Sequence, residues 1–443
     1  MKKGFHLCYN VFEQKLGKEF PQNTEGGIPM KDNTTIGKKI QHQIKRFSSR
    51  ITKDLTKPKK KFVSQMLFGI QAARDVKLSN ISRSLNEDIK LIKTENRLSR
   101  HIINKDLTEN INKALIEDGA VRITQDTVLA LDLSDINKPF AKKMDYLSEV
   151  WDGSRGKVGY GYWICEVIGA NVNQDTPIPL YSELYSQEAD GFESENRQIL
   201  KAIESVNIYT KGRGIWTMDR GADRKILVGE LNKMGQRFVI RCKGERDFID
   251  CKGRVRKVIN LLKRIEYKES YKVKIDKEGY IEEIELQFGK IDNLFIEDTE
   301  VSLVVIKGFS DEPMLLITNV EKSAQELLEI YLTRWKCEES FRFLKHEYHL
   351  EDVRVRRYTG LRNTVVFIHA VFYFLSVFLG RKLRLKILLS KILEKAKRFF
   401  QIPSFKHYAI ADGIFRLLFN LRWESKGIEK EEKDKRQLLF EFT

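Results

Sequence analysis

Cysteine and long apolar runs are both scarce in this chain, and their scarcity excludes several classes of protein. Only 5 of the 443 residues are cysteine. They are scattered and odd in number, and no pair has metal-ligand spacing, so we expect neither a disulfide framework nor a structural zinc site. The first ten residues, MKKGFHLCYN, contain no apolar stretch of signal-peptide length. Together these absences predict a protein of the reducing cytoplasm.

One segment, Val365–Leu379, resembles a membrane span in composition. It is shorter than the roughly 20 residues that a bilayer requires, and His369 interrupts it. The segment is therefore predicted to be a buried core helix, and we expect no stable membrane association.

Acidic residues are outnumbered by basic ones. The chain has 79 Lys+Arg and 62 Asp+Glu, which gives a net charge of +17. A charge of this size is typical of proteins that bind nucleic acid or an anionic membrane surface, although excess lysine can also serve solubility alone.

The sequence pattern predicts an α/β fold made of successive regions. Strand-like runs such as VLALDLSDI alternate with helical segments in the middle of the chain, and alternating runs such as YIEEIELQFG follow them. The predicted regions are a helical basic DNA-binding region (1–118), an α/β core in two parts (119–243 and 321–380), a β-rich insertion between them (244–320) and a helical C-terminal region for dimerisation or DNA contact (381–443).

A polar stripe is predicted in the segment YLTRWKCEESFRFLK. On a continuous helix, Tyr331, Arg334, Glu338 and Lys345 would fall within an arc of roughly 60°, between two apolar flanks. This arrangement favours a surface that faces an anionic ligand, with the carboxylate either holding a metal or pairing with Arg334. The alternative is a purely structural Arg334–Glu338 ion pair at i,i+4.

Two aspartates end apolar, strand-like runs. Asp132 lies in LDLSD and Asp219 in MDRGADR. Carboxylates held at strand ends are suited to oxygen-ligated Mg²⁺, whereas either residue could instead be an ordinary turn or capping residue. Asp135 and Asp223 compete with them as the active member of each pair. With Glu338, two such aspartates suggest two-metal phosphoryl transfer on a polynucleotide.

The spacing Tyr331-x2-Arg334-x3-Glu338-x6-Lys345 resembles the YREK signature of the DDE transposases of insertion sequences, in the family numbered four. Asp132 and Asp219 are similar to the first two catalytic carboxylates of that family, and Glu338 matches the third. The remaining matches are to DNA-contacting positions of the family: Tyr331, Arg334, Trp335, Arg342, Lys345, Arg241 and Lys243.

The resemblance implies a ribonuclease-H-like mixed-sheet core in which Asp132, Asp219 and Glu338 are both catalytic residues and metal ligands. It also implies two Mg²⁺ ions, for which Mn²⁺ would substitute, and a homodimer on DNA. Its substrates would be the inverted-repeat ends of an element and the target DNA, within the cytoplasm and its nucleoid. Some relatives form hairpin ends and use a tryptophan on the insertion; here 244–320 has none, and Phe248, Phe288 or Phe295 could stack instead.

Two other functions remain open from the sequence. A metal-dependent nuclease on the same core would cut DNA without strand transfer. An inactive transposase would act as a DNA-binding repressor.

Overall fold

The computed structural model describes residues 30–152, 156–172, 174, 176–277, 280–380, 383–396 and 405–424. The first 29 residues of the predicted N-terminal region and the last 19 of the predicted C-terminal region lie outside the described residues.

The N-terminal part is helical, as its sequence pattern predicts. Helix α1 (Met30–Ile51) is amphipathic because Ile36, Ile40, Ile44 and Phe47 recur every three or four residues, and all are buried. Four helices follow: α2 (Lys57–Ala73), α3 (Leu78–Leu85), α4 (Leu91–Asn104) and α5 (Thr108–Gly119).

A mixed sheet begins after a short turn of 3₁₀ helix. Its elements are β1 (Val128–Asn137), β2 (Ser148–Asp152), β3 (Lys157–Ala170), β4 (Ile178–Tyr185), α6 (Glu195–Thr210), β5 (Ile215–Met218), α7 (Lys225–Lys233) and β6 (Arg237–Arg241). Strand β3 runs antiparallel to β1, β2 and β4, whereas β1, β5 and β6 are parallel neighbours. The order β4-β3-β1-β5-β6 therefore combines an antiparallel half with a parallel half.

The segment after β6 continues the same sheet. It contains β7 (Asp247–Asp250), β8 (Val255–Lys257), α8 (Val258–Leu262), β9 (Glu269–Lys277), β10 (Tyr280–Ile296), β11 (Thr299–Lys307) and β12 (Met314–Thr318). Strand β12 pairs with β6, and the order continues β12-β11-β10-β7-β8, with β9 also on β10. The β-rich segment is thus hydrogen-bonded directly to the edge of the α/β part.

The polar stripe does not lie on one continuous helix. Helix α9 (Ala324–Leu332) begins with a Ser323–Glu326 capping box, and α10 (Trp335–Glu347) follows after Thr333 and Arg334. At the junction the Thr333 hydroxyl donates to the carbonyl of Glu329 at 2.8 Å, a bond that bends helices, and the amide of Arg334 bonds to Tyr331 in a tighter turn. The prediction of a single helix was wrong because this turn redirects Arg334.

The apolar segment is a core helix. Helix α11 (Tyr358–Tyr373) passes into a π-helical turn, Phe374–Phe378. This stretch of 21 residues is the one helix among the described residues that is long and apolar enough to cross a membrane, and 94% of its apolar window is buried inside the protein. Helices α2, α4 and α5 pack against it, as does β4. Two helices complete the described chain, α12 (Leu383–Leu393) and α13 (His407–Leu418).

Candidate active site

Asp132 and Asp219 lie side by side on neighbouring parallel strands. The pairing of β1 with β5 matches Ala130 to Thr217. Two positions further along each strand come Asp132 and, directly after the last residue of β5, Asp219. Neighbouring strands are about 4.8 Å apart, so the register places the two aspartates at the same level of the sheet. The prediction that Asp219 ends a strand is confirmed, whereas the same prediction for Asp132 was wrong, because β1 continues to Asn137. The parallel register still brings the two residues together.

Glu338 reaches the same place from the helical side. Helix α10, which carries it, packs against β1 and β3. The guanidinium of Arg334 bridges the two elements: Nη1 lies 3.2 Å from Oδ2 of Asp132, and Nη2 donates to Oε1 of Glu338. Arg334 is nearly buried, with 3% of its side chain exposed. The ion pair at i,i+4 foreseen from the sequence is present, with Asp132 as its additional member.

Carboxylates outnumber cations in this cluster. Burial, then the negative charges of Glu338 and Asp219, raise the pKa of Asp132 to about 7 against the opposing effect of Arg334. Burial disfavours the charged form of Arg334, but Tyr331 and the three carboxylates outweigh it and raise its pKa well above the ordinary value. Three carboxylates around one guanidinium give the site excess negative charge, which another cation would neutralise.

Asp135 and Asp223 have other partners. Asp223 is buried, accepts the backbone amide of Lys243 at 2.8 Å and pairs with the guanidinium of Arg246. Asp135 accepts a hydrogen bond from Asn137 and lies 3.7 Å from Nζ of Lys345. These contacts assign Asp223 a structural role at the start of the β-rich segment and favour Asp132 and Asp219 as the chemical pair.

The three carboxylates of the cluster are chemically suited to bind a divalent metal. Asp132, Asp219 and Glu338 offer only carboxylate oxygens, the ligands that Mg²⁺ prefers. Among the residues that the structure describes, no three His, Cys, Asp or Glu side chains are gathered in metal-ligand geometry. The reason is visible in the cluster, since the guanidinium of Arg334 lies between Asp132 and Glu338. Arg334 thus neutralises one of the three carboxylate charges and occupies space between two of the carboxylates.

The predicted DNA-contacting residues divide into a buried group and an exposed group. Tyr331 is 1% exposed and lies with its ring 5.8 Å from the guanidinium carbon of Arg334; Trp335 is partly buried. Arg342 and Lys243 are exposed, and Arg241 is partly buried at the end of β6. Lys345 is partly buried 3.3 Å from a carboxylate oxygen of Glu351. The exposed group can meet a ligand directly, whereas Tyr331 and Arg334 shape the cluster from within.

Two of the phenylalanines considered for stacking cannot perform it in this arrangement. Phe248 is 0% exposed and Phe288 is 2% exposed, because each belongs to a hydrophobic core that the β-rich segment shares with the rest of the protein. Phe295 is partly buried on β10.

A buried polar pair that the sequence analysis did not assign lies beneath the cluster. Glu166 is the cross-strand partner of Asp132, and its Oε1 lies 2.8 Å from Nδ1 of His369; both side chains are 0% exposed. From the sequence alone, His369 is recognisable only as an interruption of an apolar run. A glutamate inside the apolar strand YWICEVIGA, taken together with that histidine, was the available signal.

Comparison with known proteins identifies a family and similar solved structures. A sequence profile described as a transposase DDE domain matches residues 124–375, more than half of the chain. The span contains Asp132, Asp219 and Glu338. Among solved structures, the chain is similar to a piggyBac transposase synaptic complex with hairpin DNA determined by cryo-EM, with 10% sequence identity, a TM-score of 0.38, and coverage of 94% of this chain and 78% of that chain. No curated protein matches this chain.

Proposed function

This chain belongs to the transposase DDE domain family and is an enzyme of the DDE transposase type, and from that premise we propose that it cleaves the ends of an insertion sequence and joins the freed 3′-hydroxyl groups to target DNA. The observation that carries the proposal is the placement of Asp132 and Asp219 at one level of the parallel strands, with Glu338 joined to Asp132 through Arg334. A rigid group of three carboxylates on a basic protein is suited to phosphoryl transfer on a polyanion.

DDE transposase domains generally use divalent metals, and we propose Mg²⁺, with Mn²⁺ as a substitute, in a pair of sites. Asp132, Asp219 and Glu338 would hold the metal. It would supply positive charge at the scissile phosphate and lower the pKa of an attacking water. The chain's own residues would position the substrate: Lys345, Arg342, Arg241 and Lys243 by their charge, and Tyr331, Trp335 and Arg334 by fixing the wall of the site.

The finer classification is likewise a proposal. The strand order β4-β3-β1-β5-β6, antiparallel and then parallel, supports a ribonuclease-H-like core interrupted before α9 by the β-rich segment. The spacing of Tyr331, Arg334, Glu338 and Lys345 supports the YREK subgroup of the fourth insertion-sequence family. We propose further that 1–118 binds the inverted-repeat ends, that 381–443 contacts DNA or a second copy, and that a homodimer acts on the DNA of the cytoplasm.

The experiment combines purified protein, Mg²⁺, labelled ends taken from the inverted repeats that flank the gene, and a target plasmid. The expected products are cleaved ends and end–plasmid joints. Glu338→Gln should abolish both while DNA binding persists. Glu204→Gln is the matched control, because this carboxylate lies on α6 in an ion pair with Arg197, 2.9 Å away, and the two side chains are 45% and 51% exposed.

The same experiment separates the other two functions. Cleavage without joined product would identify a nuclease and contradict strand transfer. Binding of the ends without any cleavage by the wild type would identify a DNA-binding repressor. Cleavage that survives Glu338→Gln would show that the carboxylate cluster is not the catalytic site.

A further inference from the structure

A two-stranded hairpin in the same sheet as Asp132 exposes aromatic side chains on one face. Strand β2 pairs with residues 157–161 of β3, and Trp151 lies directly opposite Val158, with Tyr160 two residues further along. These three side chains are 55%, 56% and 53% exposed. Val150, on the other face of the hairpin, is 2% exposed. Two aromatic side chains and a valine therefore lie exposed to solvent on one face of this hairpin. We call this face the aromatic hairpin.

The aromatic hairpin faces the same side of the sheet as Asp132. Side chains alternate along a strand, so Val158 and Tyr160 share a face of β3 with Glu166. Glu166 is the direct cross-strand partner of Asp132, and directly paired residues point to the same side. Tyr160 is six residues from Glu166 along β3, which corresponds to roughly 20 Å at the rise of a strand.

Exposed cations lie on segments that adjoin the aromatic hairpin. Two segments meet beside it, the loop 138–147 and the segment 353–357, and together with β3 they expose Lys142, Lys143, Lys157, Arg354, Arg356 and Arg357. Arg357 lies 3.8 Å from Asp145, and Asp190 accepts a hydrogen bond from the hydroxyl of Tyr146. Among the described side chains of the hairpin's open face, Glu149 is the one acidic residue. The charge of this surface is complementary to a polyanion.

The surface is built into the fold. Nζ of Lys138, which is buried, donates to the carbonyl of Val353 at 2.8 Å, and the amide of Asp145 donates to the carbonyl of Arg356 at 3.0 Å. The rings of Tyr146 and Tyr358 meet edge to face with centroids 5.2 Å apart. These bonds hold the two cationic segments against each other and next to β2.

We propose that the aromatic hairpin and its cationic border bind DNA beyond the scissile position, with Trp151 and Tyr160 stacking on unpaired or unstacked bases and the lysines and arginines contacting the phosphates. Interleaved aromatics and cations are the features that bind single-stranded nucleic acid, because every base has a face for stacking. A second copy of this chain would bring the same positive charge to the surface and is disfavoured. The inference rests on the proposed function, which supplies DNA as the ligand of this face.

The test uses the full chain and a fluorescein-labelled duplex with a central stretch of unpaired bases, compared with the fully paired duplex by anisotropy. Trp151→Ala combined with Tyr160→Ala should weaken binding to the unpaired probe by at least about fivefold and affect the paired duplex less. Lys142→Glu combined with Lys143→Glu should weaken both and reduce the dependence of log Kd on log salt by roughly 1.5 to 2.

The matched controls are Ile208→Ala and Lys211→Glu. Ile208 is 70% exposed and Lys211 is exposed; both lie at the end of α6 that leads into the start of β5, away from Asp219. They should bind as the wild type does. Equal binding by the Trp151/Tyr160 variant and the wild type would overturn the inference, as would a variant that binds normally but changes the oligomeric state. A wild type that binds through this surface but cleaves nothing would contradict the proposed function alone.

Discussion

Arg334 is the residue whose removal tests the carboxylate cluster most directly. Its guanidinium, 3% exposed, is the cation that lies between Asp132 and Glu338. Arg334→Gln would leave these two carboxylates facing each other. Removing one partner of a buried ion pair costs about 3–5 kcal/mol. Because Asp132 is 19% and Glu338 36% exposed, solvent screens part of the repulsion and we expect the lower end, about 3 kcal/mol of unfolding free energy.

A divalent metal should compensate for the missing guanidinium. In the wild type, a metal must compete with Arg334 for Asp132 and Glu338, whereas in Arg334→Gln it meets carboxylates without that competitor. At a metal concentration of one hundred times its Kd, binding to the folded state alone stabilises by about 2.7 kcal/mol. Thermal unfolding in EDTA and in excess Mg²⁺ measures this, and Mg²⁺ should raise the midpoint of Arg334→Gln by several degrees more than that of the wild type.

Arg246→Gln is the matched control. Arg246 pairs with Asp223, and the two side chains are 8% and 0% exposed, so the loss of this arginine should destabilise by a similar amount. Mg²⁺ should not restore its stability beyond the wild-type response, because Asp223 lacks the other carboxylates. If Mg²⁺ stabilised all three proteins equally, or failed to distinguish Arg334→Gln from Arg246→Gln, the assignment of the cluster as the metal site would be wrong.

Three further outcomes follow from other contacts. Lys345→Ala should weaken DNA binding and lower the salt slope by about 1 without changing the stabilisation by Mg²⁺, measured by titration at several salt concentrations. Burial lowers the pKa of His407 to about 3, whereas its pKa in the unfolded state is about 6.5. The unfolded state therefore binds the proton first, and the free energy of unfolding should fall by up to ~1.4 kcal/mol per pH unit as the pH drops below about 6.5. Urea denaturation at several pH values measures this loss, which His407→Phe should reduce. A Cβ at Gly161 would overlap the carbonyl oxygen of Ile136, whereas a Cβ at Gly159 would have its nearest atom 3.5 Å away. In chemical denaturation, Gly161→Ala should therefore lower the free energy of unfolding by about 1–3 kcal/mol, and Gly159→Ala should leave it almost unchanged.

The sequence predicts those parts of the site that depend on local pattern. Asp132 and Asp219 follow apolar runs, and a strand buried on both faces reads as such a run. Their levels then coincide because β1 and β5 pair in parallel, which no local pattern indicates, since β2, β3, β4 and α6 separate the two strands along the chain. The core character of the helix around His369 follows equally from composition.

The sequence could not predict contacts that depend on side chains brought together from distant segments. Helical periodicity assumes a continuous helix, and the turn at Thr333 breaks that assumption, so Arg334 points to Asp132 as well as to Glu338. The burial of Phe248 and Phe288 depends on how the β-rich segment packs against the rest of the protein. The cationic border of the aromatic hairpin joins two loops about two hundred residues apart, and no local pattern links them.

The distribution of charge in the site connects metal binding with substrate binding. Without a metal, three carboxylates around one guanidinium present excess negative charge, which repels a phosphate from the centre. The cations of the chain lie further out, at Lys345, Arg342 and the border of the aromatic hairpin. DNA would therefore be held first at the periphery, and bound divalent cations would change the sign of the centre and admit the scissile phosphate. On the proposed function, the net charge of +17 would serve DNA binding and the acidic cluster would serve metal binding, since a uniformly basic site would bind DNA without providing ligands for the metal.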